Sequence, residues 1–187
     1  MAEAPIPSQP TEASLHEAAL AYLARYASSK AGLVRVLDRR IARWARAANL
    51  DEPDRIAALR ATARRIADRL AASGVIDDAL FAESRARSLR RAGRSSRAVA
   101  AHLSARGIAR EMLHTVLPLD READLEAALV LARRRKLGPF RPAEAAADTL
   151  RELGILGRAG FSQEIARAVL AMDADAALDR ILQSRQP

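Results

Sequence analysis

Residues Leu103–Leu117 read LSARGIAREMLHTVL, and residues Leu156–Leu170 read LGRAGFSQEIARAVL. Laid over each other without a gap, Leu103/Leu156, Gly107/Gly160, Glu111/Glu164, Val116/Val169 and Leu117/Leu170 are identical, while Ile108/Phe161 and Met112/Ile165 are apolar in both. Each copy predicts a helix, a glycine turn and a short amphipathic helix, so the retained glycine and apolar spacing mark an internal repeat. A weaker third copy lies upstream in SSKAGLVRVLDRR, where Ser29, Leu33, Leu37 and Arg40 fall over Ser95, Val99, Leu103 and Arg106. That copy has no glycine at the turn.

Helix punctuation fills in the rest. Ser14 and Glu17 form an S-x-x-E capping box ahead of Leu15, Leu20 and Leu23. A second helix is predicted from Ser29, with Leu33, Val36, Leu37, Ile41 and Trp44 along one side. A third opens at Pro53 and carries Ile56, Leu59, Ala63, Ile66 and Leu70 to a stop at Gly74. Asp77 or Asp78 caps the next, whose inner stripe is Phe81, Ala82, Ala86 and Leu89. Gly93 ends it, Ser95 or Ser96 starts another, and Gly107 turns the chain into a short helix closed by Pro118; Asp120 begins the cycle again. The expected fold is all-α: tandem three-helix modules, about three of them, packed in line into an elongated, curved body. Their expected bounds are 14–74, 75–118 and 119–187, the last holding a third module to residue 172 and a short C-terminal helix. Pro5, Pro7 and Pro10 make residues 1–13 an expected flexible tail.

Composition agrees with helices. Of 187 residues 44 are Ala and 24 are Leu, and aromatics make up only 3%. Ala and Leu favour helices, whereas the β-branched and aromatic residues that strands prefer are scarce. Burying Ala gains little, so small Ala-lined units are expected to depend on stacking against one another. With no Cys, the chain has no disulfide framework, thiolate metal site or thiol nucleophile. No apolar run reaches the roughly 18 residues of a membrane span, and no basic-then-apolar leader opens the sequence, so a soluble, cytoplasmic protein is expected. Gly154, Gly157 and Gly160 follow no strand and precede no Lys-Ser/Thr, so they are not a phosphate loop. His16, His102 and His114 lie on separate helices without ligand spacing. Asp77 and Asp78 sit where a helix cap belongs. Nothing assembles a nucleophile, a base and an oxyanion site, so no enzyme, metal or cofactor is expected.

The charge is distributed unevenly. Residues 84–110 hold eight arginines and no Asp or Glu, which equals the whole formal net charge of +8. Other Arg-rich stretches carry acids: Asp68 among Arg64, Arg65 and Arg69, and Glu152 beside Arg151. On a helical wheel Arg87 and Arg91 point away from the apolar stripe, Arg90 lies at its edge, and Arg94 and Arg97 continue across Gly93. With Arg106 and Arg110 these are the candidate contacts to an anionic partner, either DNA or an acidic protein groove. About five phosphate contacts would give a log–log salt slope of roughly −4 to −5. Arg85 falls inside the apolar arc and must snorkel or pair with a neighbouring carboxylate. A second basic cluster, Arg133-Arg134-Arg135-Lys136, suits the C-terminal end of its own helix.

In order along the chain, ALAYLARYASS, RVLDRR, SGVIDDALFA, GRSSRAVAAHLSARGI and RAGFSQEIARAVL resemble the landmarks of the RecX family of recombination regulators, over residues 14–172. The centre is the most specific part: an Ile-Asp-Asp cap, Phe-Ala three residues on, a Gly-Arg break, and a helix ending Leu-x-x-x-Gly-Ile. The resemblance implies tandem three-helix modules and a non-enzymatic, monomeric inhibitor of the RecA recombinase. Such a protein binds the RecA–DNA filament along its groove and depresses ATP hydrolysis, strand exchange and LexA cleavage, modulating DNA repair and the SOS response. Direct contact with single- or double-stranded DNA is compatible with it. The chain departs from the family pattern after Leu37, where Arg39-Arg40 stands in place of a glycine. The rival from another class is a helix-turn-helix transcription regulator, for which Ser162, Gln163 and Arg167 are better base-reading candidates than Arg110 with Glu111. An enzyme's accessory subunit is a third reading.

Overall fold

The apolar spacing and caps dictate helices throughout, and the computed structural model, which describes residues 8–118 and 120–183, is all-helical. Among the described residues there are ten α-helices, a 3-10 turn at Gly138–Phe140, and no strand. The helices are α1 (Glu12–Leu23), α2 (Lys30–Ala47), α3 (Pro53–Ala72), α4 (Asp78–Arg91), α5 (Ser96–Ala105), α6 (Arg110–Val116), α7 (Arg121–Arg135), α8 (Thr149–Arg158), α9 (Gln163–Leu170) and α10 (Ala174–Gln183).

Most starts and stops fall where the capping residues place them. Ser29 caps α2, Pro53 opens α3 at its first turn, Asp120 caps α7 and Ser162 caps α9. Two expectations change. The α1 capping box is formed by Thr11 and Ser14, not by Ser14 and Glu17: Thr11 accepts from the Ser14 N–H, and the Ser14 hydroxyl reaches back to the Thr11 N–H. A box needs an oxygen-bearing side chain three residues inside the cap, and Ser14 serves as that inner member. Of the pair Asp77 and Asp78, Asp77 caps α4 by accepting from the Leu80 N–H at 2.9 Å, while Asp78 reaches the Lys30 N–H of α2 at 2.7 Å. The expected 1–13 tail falls partly on residues 1–7, which lie outside the described residues. Pro10, by contrast, is buried and Thr11 already caps a helix.

The chain divides into two compact units. One runs to Phe81 and includes Arg106–Ile108; the other holds Ala82–Ala105 and the chain from Ala109 onward. Within residues 75–118 the buried apolar side chains are Ile76, Ala82, Ala86, Val99, Leu103 and Ile108, and α6 buries none.

In the first unit Leu15, Leu33, Leu37, Ile41, Ala63 and Ile66 are fully buried, around Trp44 and Leu70. These are the residues at i, i+3, i+4 and i+7 that the sequence sets on one side of α1, α2 and α3. In the second unit α7 buries Leu125, Ala127, Ala128, Leu129, Leu131 and Ala132, and packs against α9 and α10. A helix apolar around most of its circumference belongs at the centre of a core. Beside it the Arg141 guanidinium grips Glu152 through two bonds of 2.9 and 2.6 Å. That hydrogen bonding holds the arginine above its ordinary pKa. Glu152, buried, is therefore the partner of Arg141, not of its neighbour Arg151.

The repeat is visible in the backbone. Gly107 (φ +82°) and Gly160 (φ +93°) adopt the left-handed conformation that glycine reaches without a Cβ penalty, two residues after α5 and α8 end. Ile108 and Phe161 are buried one residue later, and Leu103 and Leu156 are fully buried before the turn. The weaker third copy matches only in its first half. Ser29, Leu33 and Leu37 are buried as Ser95, Val99 and Leu103 are, but without a glycine α2 continues to Ala47.

Candidate interface: the arginine-rich helices

A helix start leaves N–H groups unpaired, and how α5 meets this need sets where the arginines stand. In the second unit, buried Ser95 accepts from the Ala98 N–H at 3.2 Å and donates its hydroxyl proton to the Ala159 carbonyl at 2.8 Å. Asp124 of α7 accepts from both the N–H and the hydroxyl of Ser96, each at 2.7 Å. The end of α4 is fixed similarly. A Cβ at Gly93 would lie 3.0 Å from the Leu131 nitrogen, so the turn rests on the α7 backbone. The Arg134 guanidinium donates to the Ala92 carbonyl at 3.3 Å. A cation at the carbonyl end of a helix is favoured by the dipole; Arg134 stands in the last turn of its own α7 and serves the end of α4 as well.

On that frame the seven candidate arginines separate. Arg91, Arg94, Arg97 and Arg110 are exposed and form no ion pair among the described residues. Arg91 and Arg94 flank the turn that Arg134 caps, so the second basic cluster meets the arginine window there. Arg87 is exposed but lies 3.8 Å from Glu83, one turn back and just outside the acid-free window. Arg90 is half-buried and donates to the Ser96 hydroxyl at 3.1 Å, which ties α4 to the start of α5. Arg106 belongs to the first unit, where its side chain is exposed and its carbonyl accepts from Ser29 and Arg35. Arg87 and Arg91 share a face one turn apart on α4.

Arg85 takes the first of its two expected courses and reaches out of the apolar arc. It stays exposed, and its Nε donates to Nε2 of His102 on α5 at 3.3 Å. With no carboxylate in the window, an imidazole is the acceptor within reach.

Of the residues important to this frame, Asp124 was not singled out from the sequence, and Arg134 only as a member of the basic cluster at the end of its own helix. Asp124 follows the Asp120 cap by one turn, a position that reads as dipole compensation in sequence. Its actual partner is 28 residues away. The rival base-reading helix is also tested by geometry. The Ser162 hydroxyl accepts from the Ile165 N–H at 3.2 Å, and Glu164 is bonded to Arg121 at 2.8 Å. Gln163 and Arg167 are exposed. No described helix is long and apolar enough to cross a membrane.

A family model described as RecX, second three-helix domain, matches residues 77–117, from the α4 cap to the end of α6. The chain is similar to the Regulatory protein RecX of Myxococcus xanthus, 36% identical over 171 residues, covering 88% of this chain and 89% of that protein. Regulatory protein RecX of Agrobacterium fabrum is 38% identical over 105 residues, 56% of each chain. That of Mycobacterium leprae is 42% identical over 101 residues, 53% of this chain and 59% of its own. A solved structure titled "Crystal structure of regulatory protein RecX" superposes with a TM-score of 0.61 at 21% identity, covering 84% of this chain and 70% of that one, a likeness of fold.

Proposed function

The chain belongs to the RecX family of regulatory proteins, and from that premise we propose that it is a negative regulator of a RecA-type recombinase. It acts by binding, as a monomer of three successive three-helix modules in the cytoplasm, to the filament that the recombinase forms on DNA. Bound there, it depresses ATP hydrolysis, strand exchange and coprotease activity. The observation that carries this reading is the 36% identity over 88% of the chain to a Regulatory protein RecX.

The charge geometry supports a surface for it. Arg91, Arg94, Arg97 and Arg110 are the candidate arginines of the second unit that are exposed and without an ion pair among the described residues, and the Asp124, Ser95 and Arg134 contacts hold α4 and α5 in place. Guanidinium groups on a fixed frame meet phosphate or carboxylate with less loss of freedom than groups on a mobile loop.

The test is recombinase-catalysed, single-stranded-DNA-dependent ATP hydrolysis at substoichiometric amounts of this protein. Hydrolysis falls with the intact protein, and the Arg91→Ala, Arg94→Ala, Arg97→Ala, Arg110→Ala variant inhibits less. If these four meet phosphates, their removal flattens the log–log salt dependence of DNA binding by about 3. An unchanged hydrolysis rate with the intact protein ends this reading. Protection of one operator sequence in preference to other DNA would favour the helix-turn-helix alternative.

A further inference from the structure

The same joint occurs twice, and a third place for it is vacant of any partner among the described residues. In the first unit Ser29 caps α2 by accepting from the Gly32 N–H, and donates to the carbonyl of Arg106, just before the Gly107 turn. The next residue, Lys30, gives its N–H to a carboxylate, Asp78. The one after, Ala31, packs so closely on Gly107 that a Cβ there would collide with it. In the second unit Ser95 and Ser96 repeat the first two roles toward Ala159 and Asp124, and Arg97 lies at ordinary packing distance from the Gly160 turn, where the closest atom is the Ser95 hydroxyl.

The ungapped alignment that relates α5–α6 to α8–α9 puts Asp148, Thr149 and Leu150 at the same three positions. Asp148 caps α8 by accepting from the Arg151 N–H at 3.0 Å, as Ser95 does from Ala98. Among the described residues no carboxylate takes the N–H or hydroxyl of Thr149. Leu150, where Ala31 and Arg97 each meet a glycine turn, is 84% exposed.

Two differences say what fits. Asp148 lacks the hydroxyl that Ser29 and Ser95 donate, so the serine-to-carbonyl bond of the other joints is not reproduced and another helix-turn of this chain's own kind is disfavoured. Beside it lies a cavity of about 240 Å³ lined by Arg135, Lys136, Arg141 and Arg151 against Asp148 and Glu152. Both acids are engaged already, Glu152 with Arg141 and Asp148 with its own helix. Among the described residues Arg135, Lys136 and Arg151 have no ion pair, so the complement is acidic.

We infer that the start of α8, with Leu150 and the cavity cations, is a docking surface for an acidic segment of the recombinase itself. That segment presents an Asp or Glu to Thr149, as Asp78 and Asp124 do to Lys30 and Ser96, and an apolar side chain to Leu150. The inference rests on the recombinase reading above and places a contact outside the arginine window.

The experiment uses the full chain, fluorescently labelled, titrated with recombinase filament assembled on single-stranded DNA with a non-hydrolysable ATP analogue. Leu150→Ser leaves net charge unchanged and removes a side chain that the fold does not bury. It should weaken filament binding about tenfold, the scale of one desolvated leucine, with thermal unfolding and affinity for bare DNA unaltered. Arg135→Ala/Arg151→Ala should weaken filament binding by a similar factor. If Leu150→Ser binds the filament as tightly as the parent, this inference falls while the recombinase reading stands. If the parent itself does not bind, both fall. A parallel loss of affinity for bare DNA in the Arg135→Ala/Arg151→Ala protein would assign the cavity to phosphate and overturn the inference. So would sedimentation showing a dimer of the parent that Leu150→Ser dissociates, since the occupant would then be a second copy.

Discussion

The two serine joints use one chemistry with opposite emphasis. At the start of α2 the strength lies on the carbonyl side: Arg106 receives both the Ser29 hydroxyl, at 2.7 Å, and the Arg35 guanidinium, at 3.2 Å. The helix side has a single bond, Asp78 to the Lys30 N–H. At the start of α5 the carbonyl of Ala159 has Ser95 alone, while Asp124 makes two bonds to Ser96 and Arg90 adds a third. The reinforced side of each joint is therefore the side that bears arginines of the window, Arg106 at one and Arg90, Arg94 and Arg97 at the other.

The largest expected effects come from filling the turns. Gly107→Ala should cost about 3 kcal/mol in urea unfolding, from the left-handed backbone together with a collision against the Ala31 side chain, which cannot turn aside. Gly160→Ala should cost about 2 kcal/mol, because the contact at 2.6 Å is the Ser95 hydroxyl, which can move at the expense of its bond. Equal costs would mean that the two joints are not distinct in the way described. Next come the serines. Ser29→Ala and Ser95→Ala each remove a buried cap and leave a carbonyl less satisfied, for about 1–2 kcal/mol. Ser95→Ala should be the costlier, since Arg35 still serves Arg106, and faster amide exchange at Ala98 should report it.

Smaller again is the carboxylate contrast. Asp124→Ala should cost about 1 kcal/mol and Asp78→Ala less, one acceptor losing two donors and the other losing one. A larger loss at Asp78 would reverse the proposed emphasis. The smallest effect lies outside both joints, at Asp173, which caps α10 with no hydroxyl involved. Backbone N–H groups of Ala176 and Asp175 hold its carboxyl below the ordinary Asp range. Its folded pKa is depressed, so the stabilisation is present above the unfolded pKa and is lost as pH falls through the folded one. A carbon-detected NMR titration should place the Asp173 midpoint below the ordinary Asp range, and a midpoint within that range would count against the cap.

Helices, caps and the repeat were legible because they are local. Apolar spacing on α2 and α3, Pro53, and the glycines at 74, 93, 107 and 160 each act within a few residues of themselves. What stayed hidden was whatever crosses the chain. Nothing local distinguishes Asp77, which serves its own helix, from Asp78, which serves α2; nor does adjacency reveal that Glu152 pairs with Arg141 and not Arg151. The candidate interface shows the same division. Counting arginines found the window, but only contacts at long range withdrew Arg90 into the frame and brought Arg134 to the end of α4. Arg87 differs in another way, with a local neighbour that the window left out because it began one residue after Glu83.

Ser29 and Ser95 address main-chain oxygens, so each joint ignores the identity of the residue that supplies its acceptor. Arginine fills that place in one copy and alanine in the other, with the bond kept in both. Position 106 is thus released from architectural duty: selection can add, remove or reverse its charge, and tune what the surface recognises, without loosening the hinge it sits on.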